Sequence, residues 1–271
     1  RSFILKKYKT KLRAWKKSIV KARLFLKRKK NDDEKLEKIL GIGVRTLESS
    51  PSGTCSSVLM SSDRPLPGAW GDSRRVLRHE IYRRMNQVQK ELLVSSPYFI
   101  MTDKTNELFR NILERGISVS LLTNGMYSTD ALPVAAVFNH YLKDWLKLGL
   151  KPSVFSGFFI EGKEAMSEEV RQSRWGVHSK TIVFDDDHFM IGSYNFDPRS
   201  AYYSAEMSVF CEGEKDLTSS LADNIRMRMK NSVTFKTEED ARKHEFDNVS
   251  LLKKMGYYFM KPISLLFKWV L

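Results

Sequence analysis

Apolar positions between residues 72 and 235 follow two alternating patterns. Segments in which they recur every three or four residues predict helices, and short, almost uniformly apolar runs predict strands. The helices are predicted over 73–90, 102–115, 131–148 and 215–230. The strands are predicted over 92–95, 117–122, 152–155, 177–184, 189–193 and 206–211. Helices that connect short strands in this order predict an α/β fold, with a mixed β-sheet flanked by helices on both faces.

The chain divides into four regions by composition. A basic amphipathic helical segment is predicted over 1–48, and a Ser-, Pro- and Gly-rich linker over 49–71, with one short strand at 57–60. The α/β domain follows over 72–235, and 236–271 forms an apolar and basic tail. The predicted fold therefore carries amphipathic helical extensions at both termini.

The net charge of +14 comes from one segment. Residues 1–30 contain 14 of the 46 Lys and Arg and no acidic residue, which leaves 46 − 14 = 32 basic residues against 32 acidic ones in the rest of the chain. A basic arm on a neutral body is typical of an anchor. The segment is interpreted either as a helix on anionic lipid or as a helix packed on the domain with a solvated basic face.

Composition excludes several classes of protein. An apolar fraction of 42% and a charged fraction of 29% are ordinary for a globular chain and exclude collagen-like, mucin-like and wholly disordered proteins. No run of 18 apolar residues predicts a transmembrane helix. Two cysteines, Cys55 and Cys211, cannot build a disulfide framework or a paired CxxC zinc site. They therefore do not indicate whether the protein lies in an oxidising or a reducing compartment.

The tail from about residue 248 mixes apolar and aromatic residues with Lys253, Lys254, Lys261 and Lys268. It is too short and too charged to span a bilayer comfortably. Either an interfacial anchor or a C-terminal helix docked on the core fits this pattern. We favour membrane contact, because a basic segment lies at the other end of the chain.

The chemistry-bearing residues begin in the predicted strand 177–184. Side chains alternate along a strand, so His178 and Lys180 share one face while Asp185 has the opposite parity. Asp185 is therefore expected to face away from the other two.

Ser193 and Asn195 share a face of the next segment and could complete a site with His178 and Lys180. This set suits a phosphodiester, because ammonium and amide groups hold non-bridging oxygens while an imidazole attacks phosphorus or protonates the leaving oxygen. Glu206 is expected within hydrogen-bond reach of His178, where a carboxylate would hold the imidazole in one tautomer.

These residues resemble the HKD motif of the phospholipase D superfamily, read as His178-Ser179-Lys180, four residues and Asp185, followed by Gly192-Ser193-Tyr194-Asn195. Upstream segments are similar to bacterial cardiolipin-synthase-type members, and the resemblance covers about residues 75–230, the C-terminal half of such an enzyme. It implies a catalytic set without metal or cofactor, with phosphate held by Lys180, Ser193 and Asn195. The catalytic set is His178, Lys180, Asp185, Asn195 and Glu206.

The resemblance also implies a missing component. The family joins two HKD motifs in one site, whereas this sequence contains one. The chain is interpreted, in this order, as the C-terminal part of a longer enzyme, as a homodimer that joins two copies of His178, or as catalytically inactive. A first residue of Arg rather than Met favours the first interpretation. The expected partner is therefore the N-terminal HKD half or a second copy of the chain.

The leading functional hypothesis is phosphatidyl transfer or phospholipid hydrolysis through a phosphohistidine intermediate. The protein is then expected to be peripherally attached to an anionic membrane, in particular the bacterial inner membrane. One alternative is a homodimeric HKD-family nuclease, whose basic arm would hold the nucleic-acid backbone. Against it, the body is neutral and the aromatic residues cluster in the tail, so no specific nucleic acid is expected. The other alternative is a non-catalytic lipid-surface binding module.

Overall fold

The computed structural model describes residues 16–20, 51–64, 75–158 and 173–271. The chain divides into two compact units, residues 1–52 and 53–271. In the first unit, residues 16–20 are helical and the remainder of the predicted basic helix lies outside the described residues. The second unit contains the sheet.

The sheet has eight described strands: β1 (Ser57–Ser62), β2 (Glu91–Ser95), β3 (Ser118–Asn124), β4 (Lys151–Phe155), β5 (Thr181–Phe184), β6 (His188–Gly192), β7 (Met207–Glu212) and β8 (Ser232–Thr234). Their order across the sheet is β1-β7-β6-β5-β2-β3-β4-β8. The pairs β2–β3 and β3–β4 are parallel and the other neighbours are antiparallel. The prediction of a mixed sheet is confirmed.

Seven α-helices accompany these strands in the same unit: α1 (Val76–Gln87), α2 (Asp103–Glu114), α3 (Leu132–Lys147), α4 (Pro198–Tyr202), α5 (Lys215–Lys230), α6 (Glu238–His244) and α7 (Leu251–Leu266). A short 3-10 helix, Lys268–Val270, follows α7.

Helices cover both faces of the sheet, as alternation along β2 shows. Leu92 and Val94 belong to a core with residues of α1, α2 and α3, including Ile81. Leu93, between them, belongs to a separate core with Ala222 and Ile225 of α5. Successive strand side chains point to opposite faces, so two buried faces require a cover on each side. The predicted helix–sheet–helix layering is confirmed.

Strand β1 lies within the segment predicted as a linker. Its residues pair antiparallel with β7, from Ser57 opposite Glu212 to Ser62 opposite Met207. Just before β1, Cys55 forms a disulfide with Cys211 of β7, with Cα atoms 5.4 Å apart. No sequence pattern pairs two cysteines that are 156 residues apart, since their proximity depends on this strand pairing.

The remaining differences concern short elements. The predicted strand 177–184 begins only at Thr181, so His178 and Lys180 lie in the extended segment that leads into β5. Helix α4, strand β8 and helix α6 were not predicted, because elements of three to seven residues are too short to show a periodic pattern.

The apolar tail forms α7 and the 3-10 helix. Helix α7 packs on α3 and buries Tyr257, whose hydroxyl donates a 2.7 Å hydrogen bond to Glu245. The alternative of a C-terminal helix docked on the core is therefore correct for one face of α7. Among the described residues, no helix combines the length and apolarity needed to cross a bilayer.

Candidate active site

The segment that carries His178 is fixed by a buried amide. Asn124, at the end of β3, accepts a hydrogen bond from the backbone N–H of Val177 at 2.8 Å and donates one to its carbonyl at 2.8 Å. Ser95 and Ser179 add a 2.7 Å hydroxyl–hydroxyl bond. These contacts hold both residues beside His178 and leave its imidazole exposed.

His178 opens into a cavity of about 410 Å³. The walls come from the segment before β5, the loop between β6 and β7 with its helix α4, the start of α3 and the end of the chain. The charged and polar lining consists of Tyr98, His178, Lys180, Asn195, Asp197, Arg199, Ser200, Ser204 and Glu206. The structure thus brings His178, Lys180, Asn195 and Glu206 to one pocket.

Lys180 is half-buried, and its ammonium donates a 3.0 Å hydrogen bond to the backbone carbonyl of His178. Burial lowers the pKa of Lys180, while the negative charges of Glu206, Asp197 and Asp130 oppose that shift. A charged ammonium beside an imidazole provides what a phosphate oxygen needs at this position.

Asn195 presents an amide whose buried Oδ1 has no hydrogen-bond partner among the residues that the structure describes. Its backbone N–H donates to Ser200 Oγ at 3.2 Å, which fixes the residue at the pocket wall. Because Asn oxygen and nitrogen are assigned from the hydrogen-bond network, the observation means that one end of this amide is free to meet a ligand.

Glu206 does not form the hydrogen bond to His178 that the sequence analysis expected. Its carboxylate instead accepts hydrogen bonds from Ser193 Oγ and, at 2.9 Å, from Ser200 Oγ. These serines lie just after β6 and in α4, next to Glu206, whereas His178 lies on a separate exposed segment. Glu206 therefore shares the pocket with His178 and orients two hydroxyls.

The same contacts define Ser193. Its hydroxyl donates to Glu206 and accepts from the Met207 backbone N–H at 3.0 Å. The preceding Gly192 leaves no room for a Cβ, because Ser208 of the neighbouring strand lies against it. The close strand pairing at Gly192 places Ser193 at the carboxylate, and Ser193 is not among the residues that line the cavity.

Asp185 lies at the other end of β5, in a turn with φ +55°. Its carboxylate accepts hydrogen bonds from the backbone N–H groups of Gln89, Lys90 and Glu91, the last two at 2.7 and 3.1 Å. These contacts connect the β5–β6 turn to the start of β2, and Asp185 does not line the cavity.

Three further residues reach the pocket that the sequence analysis did not select. Asp197 is buried at the start of α4, and burial raises its pKa to about 6. Tyr98 donates a 2.8 Å hydrogen bond to Asp130; burial and that bond raise the pKa of Tyr98 to about 12. Arg199 supplies a second cation. The sequence signal that could have identified them is their position in two segments that resemble the same family, Ser96-Pro97-Tyr98-Phe99 and Asp197-Pro198-Arg199-Ser200.

No three His, Cys, Asp or Glu side chains in the described ranges come together as ligands for a metal ion. Besides the carboxyl groups of Asp197 and Glu206, the pocket combines two cations, an imidazole and an amide. Such a set can bind a phosphodiester and move a proton at the same place.

The sheet topology together with this pocket defines a phospholipase D-like domain. Residues 81–229, more than half of the chain, match the family described as "Cardiolipin synthase, PLD-like domain". The chain belongs to this family.

Two sequence relatives illustrate the match. An uncharacterized protein of Helicobacter pylori is 30% identical over 152 residues, which cover 55% of this chain and 28% of the relative. Cardiolipin synthase C of Escherichia coli is 27% identical over 188 residues, which cover 63% of this chain and 39% of the relative. The chain spans less than half the length of these relatives.

One solved structure supports the fold. Phosphatidylserine synthase of Haemophilus influenzae is similar with a TM-score of 0.51 and 17% sequence identity, over 80% of this chain and 48% of that one. At this identity the similarity concerns the fold alone.

Proposed function

We propose that this chain supplies one half of a two-histidine site that transfers or hydrolyses the phosphatidyl group of a phospholipid. The observation that carries the proposal is the exposed imidazole of His178 at a pocket with Lys180, Arg199 and the free end of the Asn195 amide. The sequence similarity to cardiolipin synthase C supports the lipid class of substrate.

In the proposed reaction, a histidine of the other half attacks phosphorus. The bond from phosphorus to the leaving alcohol breaks, and His178 donates its proton to that oxygen. An acceptor alcohol or water then gives a proton to His178 and attacks phosphorus, which breaks the phosphorus–nitrogen bond. Lys180 and Asn195 hold the non-bridging oxygens in both steps.

A second phospholipase D-like domain must then lie against this one. An apolar part of the sheet that none of the described helices covers is a suitable contact surface: Met60, Val209 and Ile191 are adjacent across β1, β7 and β6, and all three are exposed. Met207 lies two residues before Val209 and is also exposed, so it extends this surface. Its backbone N–H donates to Ser193 Oγ, which brings the surface close to that residue. A second copy of the chain or the N-terminal half of a longer enzyme could supply the partner.

The test is turnover of phosphatidylglycerol vesicles by the full chain, with its oligomeric state measured by light scattering. We expect a dimeric preparation to release glycerol and form cardiolipin or phosphatidic acid. His178→Ala should lower the rate at least about a hundredfold, because general acid–base help typically contributes 10²–10⁴-fold. The matched control is His188→Ala, since His188 pairs with Asp187 outside the pocket.

Two results would contradict the proposal. Cleavage of single-stranded DNA by the dimer without lipid turnover would favour the nuclease, and vesicle binding by a dimer without any turnover would favour a binding module. A monomer without turnover would contradict the second-copy arrangement and direct the search for the partner to another polypeptide segment.

A further inference from the structure

A continuous apolar surface runs along one side of α7. Exposed residues recur at three- and four-residue spacing, and the exposed fractions include 80% at Leu252, 72% at Phe259 and 70% at Leu266. We call this the α7 surface; it consists of Leu251, Leu252, Met255, Tyr258, Phe259, Ile263, Leu266, Phe267, Trp269 and Val270. Soluble surfaces scatter such residues singly, so a contiguous patch of this size indicates a binding surface.

The opposite side of α7 holds the helix in place. Tyr257 and Ser264 are buried, and the ammonium of Lys253 donates a 3.0 Å hydrogen bond to the Thr129 carbonyl. Because the helix already has a docked face, its exposed apolar side is a second face that needs its own partner.

Charge identifies the kind of partner. From residue 248 to the end the sequence has no Asp or Glu, while four lysines accompany the apolar residues. These lysines contact neutral groups: the Thr129 carbonyl for Lys253, and aromatic rings for Lys254, Lys261 and Lys268. None of the four forms an ion pair with the described part of the chain, so their charges are not neutralised there.

The α7 surface is also continuous with the pocket. Val270, which ends the 3-10 helix, and Leu271 line the cavity of His178, and the Arg199 N–H donates a 2.8 Å hydrogen bond to the Leu271 carbonyl. Trp269 packs against Tyr203, just after α4, with ring centroids 6.4 Å apart. A molecule seated on the α7 surface therefore reaches the lip of the pocket.

We propose that the α7 surface inserts into the interfacial region of an anionic bilayer and places the pocket of His178 at headgroup level. Aromatic and aliphatic side chains bordered by lysines are the composition of an interfacial helix, with the lysine stems lying along apolar surface and the ammonium groups at the phosphates. Interfaces between proteins are depleted in lysine. The exposed apolar residues of β1, β7 and β6 have no lysine among them, which is typical of a protein interface. The two surfaces therefore differ in the kind of partner they fit.

The test is flotation of the full chain with vesicles of phosphatidylglycerol and phosphatidylcholine in about 0.5 M salt, where attraction by residues 1–30 is screened. We expect Phe259→Ser with Leu266→Ser to lower the partition coefficient about a hundredfold, because two large apolar side chains no longer insert. The matched control is Val76→Ser, an exposed apolar position on α1. Circular dichroism establishes that each variant is folded.

A second measurement locates the surface directly. Brominated lipids should quench the tryptophan fluorescence of the wild-type chain, and Trp269→Phe should remove most of that quenching. Unchanged flotation of the double variant would overturn the proposal, as would a change of its oligomeric state without loss of flotation, since the surface would then contact protein. These readouts measure binding alone, so they do not depend on turnover.

Discussion

Replacement of Asp197 by Asn tests the electrostatics of the pocket. Asp197 is 3% exposed, and its Oδ1 accepts a 2.7 Å hydrogen bond from the Ser200 N–H at the start of α4. Burial raises the pKa of Asp197 from 3.8 to about 6, and the charge of Glu206 adds to the shift, while the Ser200 hydrogen bonds and Arg199 oppose it. Asn keeps the capping oxygen and removes the buried charge.

The magnitude follows from linkage. Below pH 3.8 the carboxyl is protonated in both states and carries no charge penalty; above pH 6 it is ionised in both, and the folded state bears the full cost. A shift of about 2 pKa units corresponds to about 3 kcal/mol. For the wild-type protein this ionisation lowers the free energy of unfolding by about 3 kcal/mol at pH 8 and by about half as much at pH 5. Its stability therefore falls as pH rises through this range.

The assay is urea unfolding at pH 5, 6.5 and 8, followed by tryptophan fluorescence. We expect the free energy of unfolding of Asp197→Asn, relative to wild type, to rise by about 1 kcal/mol from pH 5 to pH 8. Asp197→Ala should show the same slope from a lower baseline, since a lost N-cap costs about 1 kcal/mol. Exposed Asp223→Asn on α5 serves as the control. A difference between Asp197→Asn and wild type that stays constant with pH would refute the reasoning.

Two further predictions concern the sheet. Asp185→Ala should lower the free energy of unfolding by about 2 kcal/mol in urea titrations, because three backbone donors lose their acceptor, while Asp185→Asn should cost about half as much, since it retains an acceptor and tolerates positive φ. Cys55→Ser and Cys211→Ser should each lower it by about 2–5 kcal/mol, and the double variant by no more than either one, because all three lack the same crosslink. Equal stability of wild type with and without reductant would contradict the second prediction.

The sequence predicted the central elements of this fold because their local patterns and their tertiary environment agree. The helix predicted over 102–115 is α2 (Asp103–Glu114), with a Thr102 N-cap and an apolar side in the core. The strand predicted over 117–122 is β3 (Ser118–Asn124), which continues two residues further to Asn124. This extension bears on the candidate site, because Asn124 holds the backbone of Val177, the residue before His178.

The sequence predicted the edges of the sheet only in part: the short strand at 57–60 is β1, which continues to Ser62, whereas β8 was not predicted. Strand β1 has four exposed positions at its start, so it lacks an apolar pattern and depends on its antiparallel pairing with β7. Strand β8 has three residues and pairs with β4. Such elements are specified by distant partners, and no property of their own segments identifies those partners.

The site shows the same division between local and distant determinants. The alternation of side chains along a strand predicted that His178 and Lys180 lie together, and both line the pocket. The regular strand β5 begins only at Thr181, however, so the two residues lie in an extended segment that is not paired in the sheet. The expected Glu206–His178 contact failed because Ser193 and Ser200 are closer partners along the chain.

The exposure of His178 bears on how the proposed two-histidine site forms. The hydroxyls that Glu206 orients are already occupied, whereas the His178 imidazole has no side-chain partner among the described residues. A general acid needs its other ring nitrogen fixed if one tautomer is to be maintained. In the reaction we propose, that contact comes from the substrate or from the second domain. Under this proposal, Lys180 is already placed to hold a phosphate oxygen, whereas the orientation of the His178 imidazole is fixed only on assembly, so we expect proton transfer to depend on assembly.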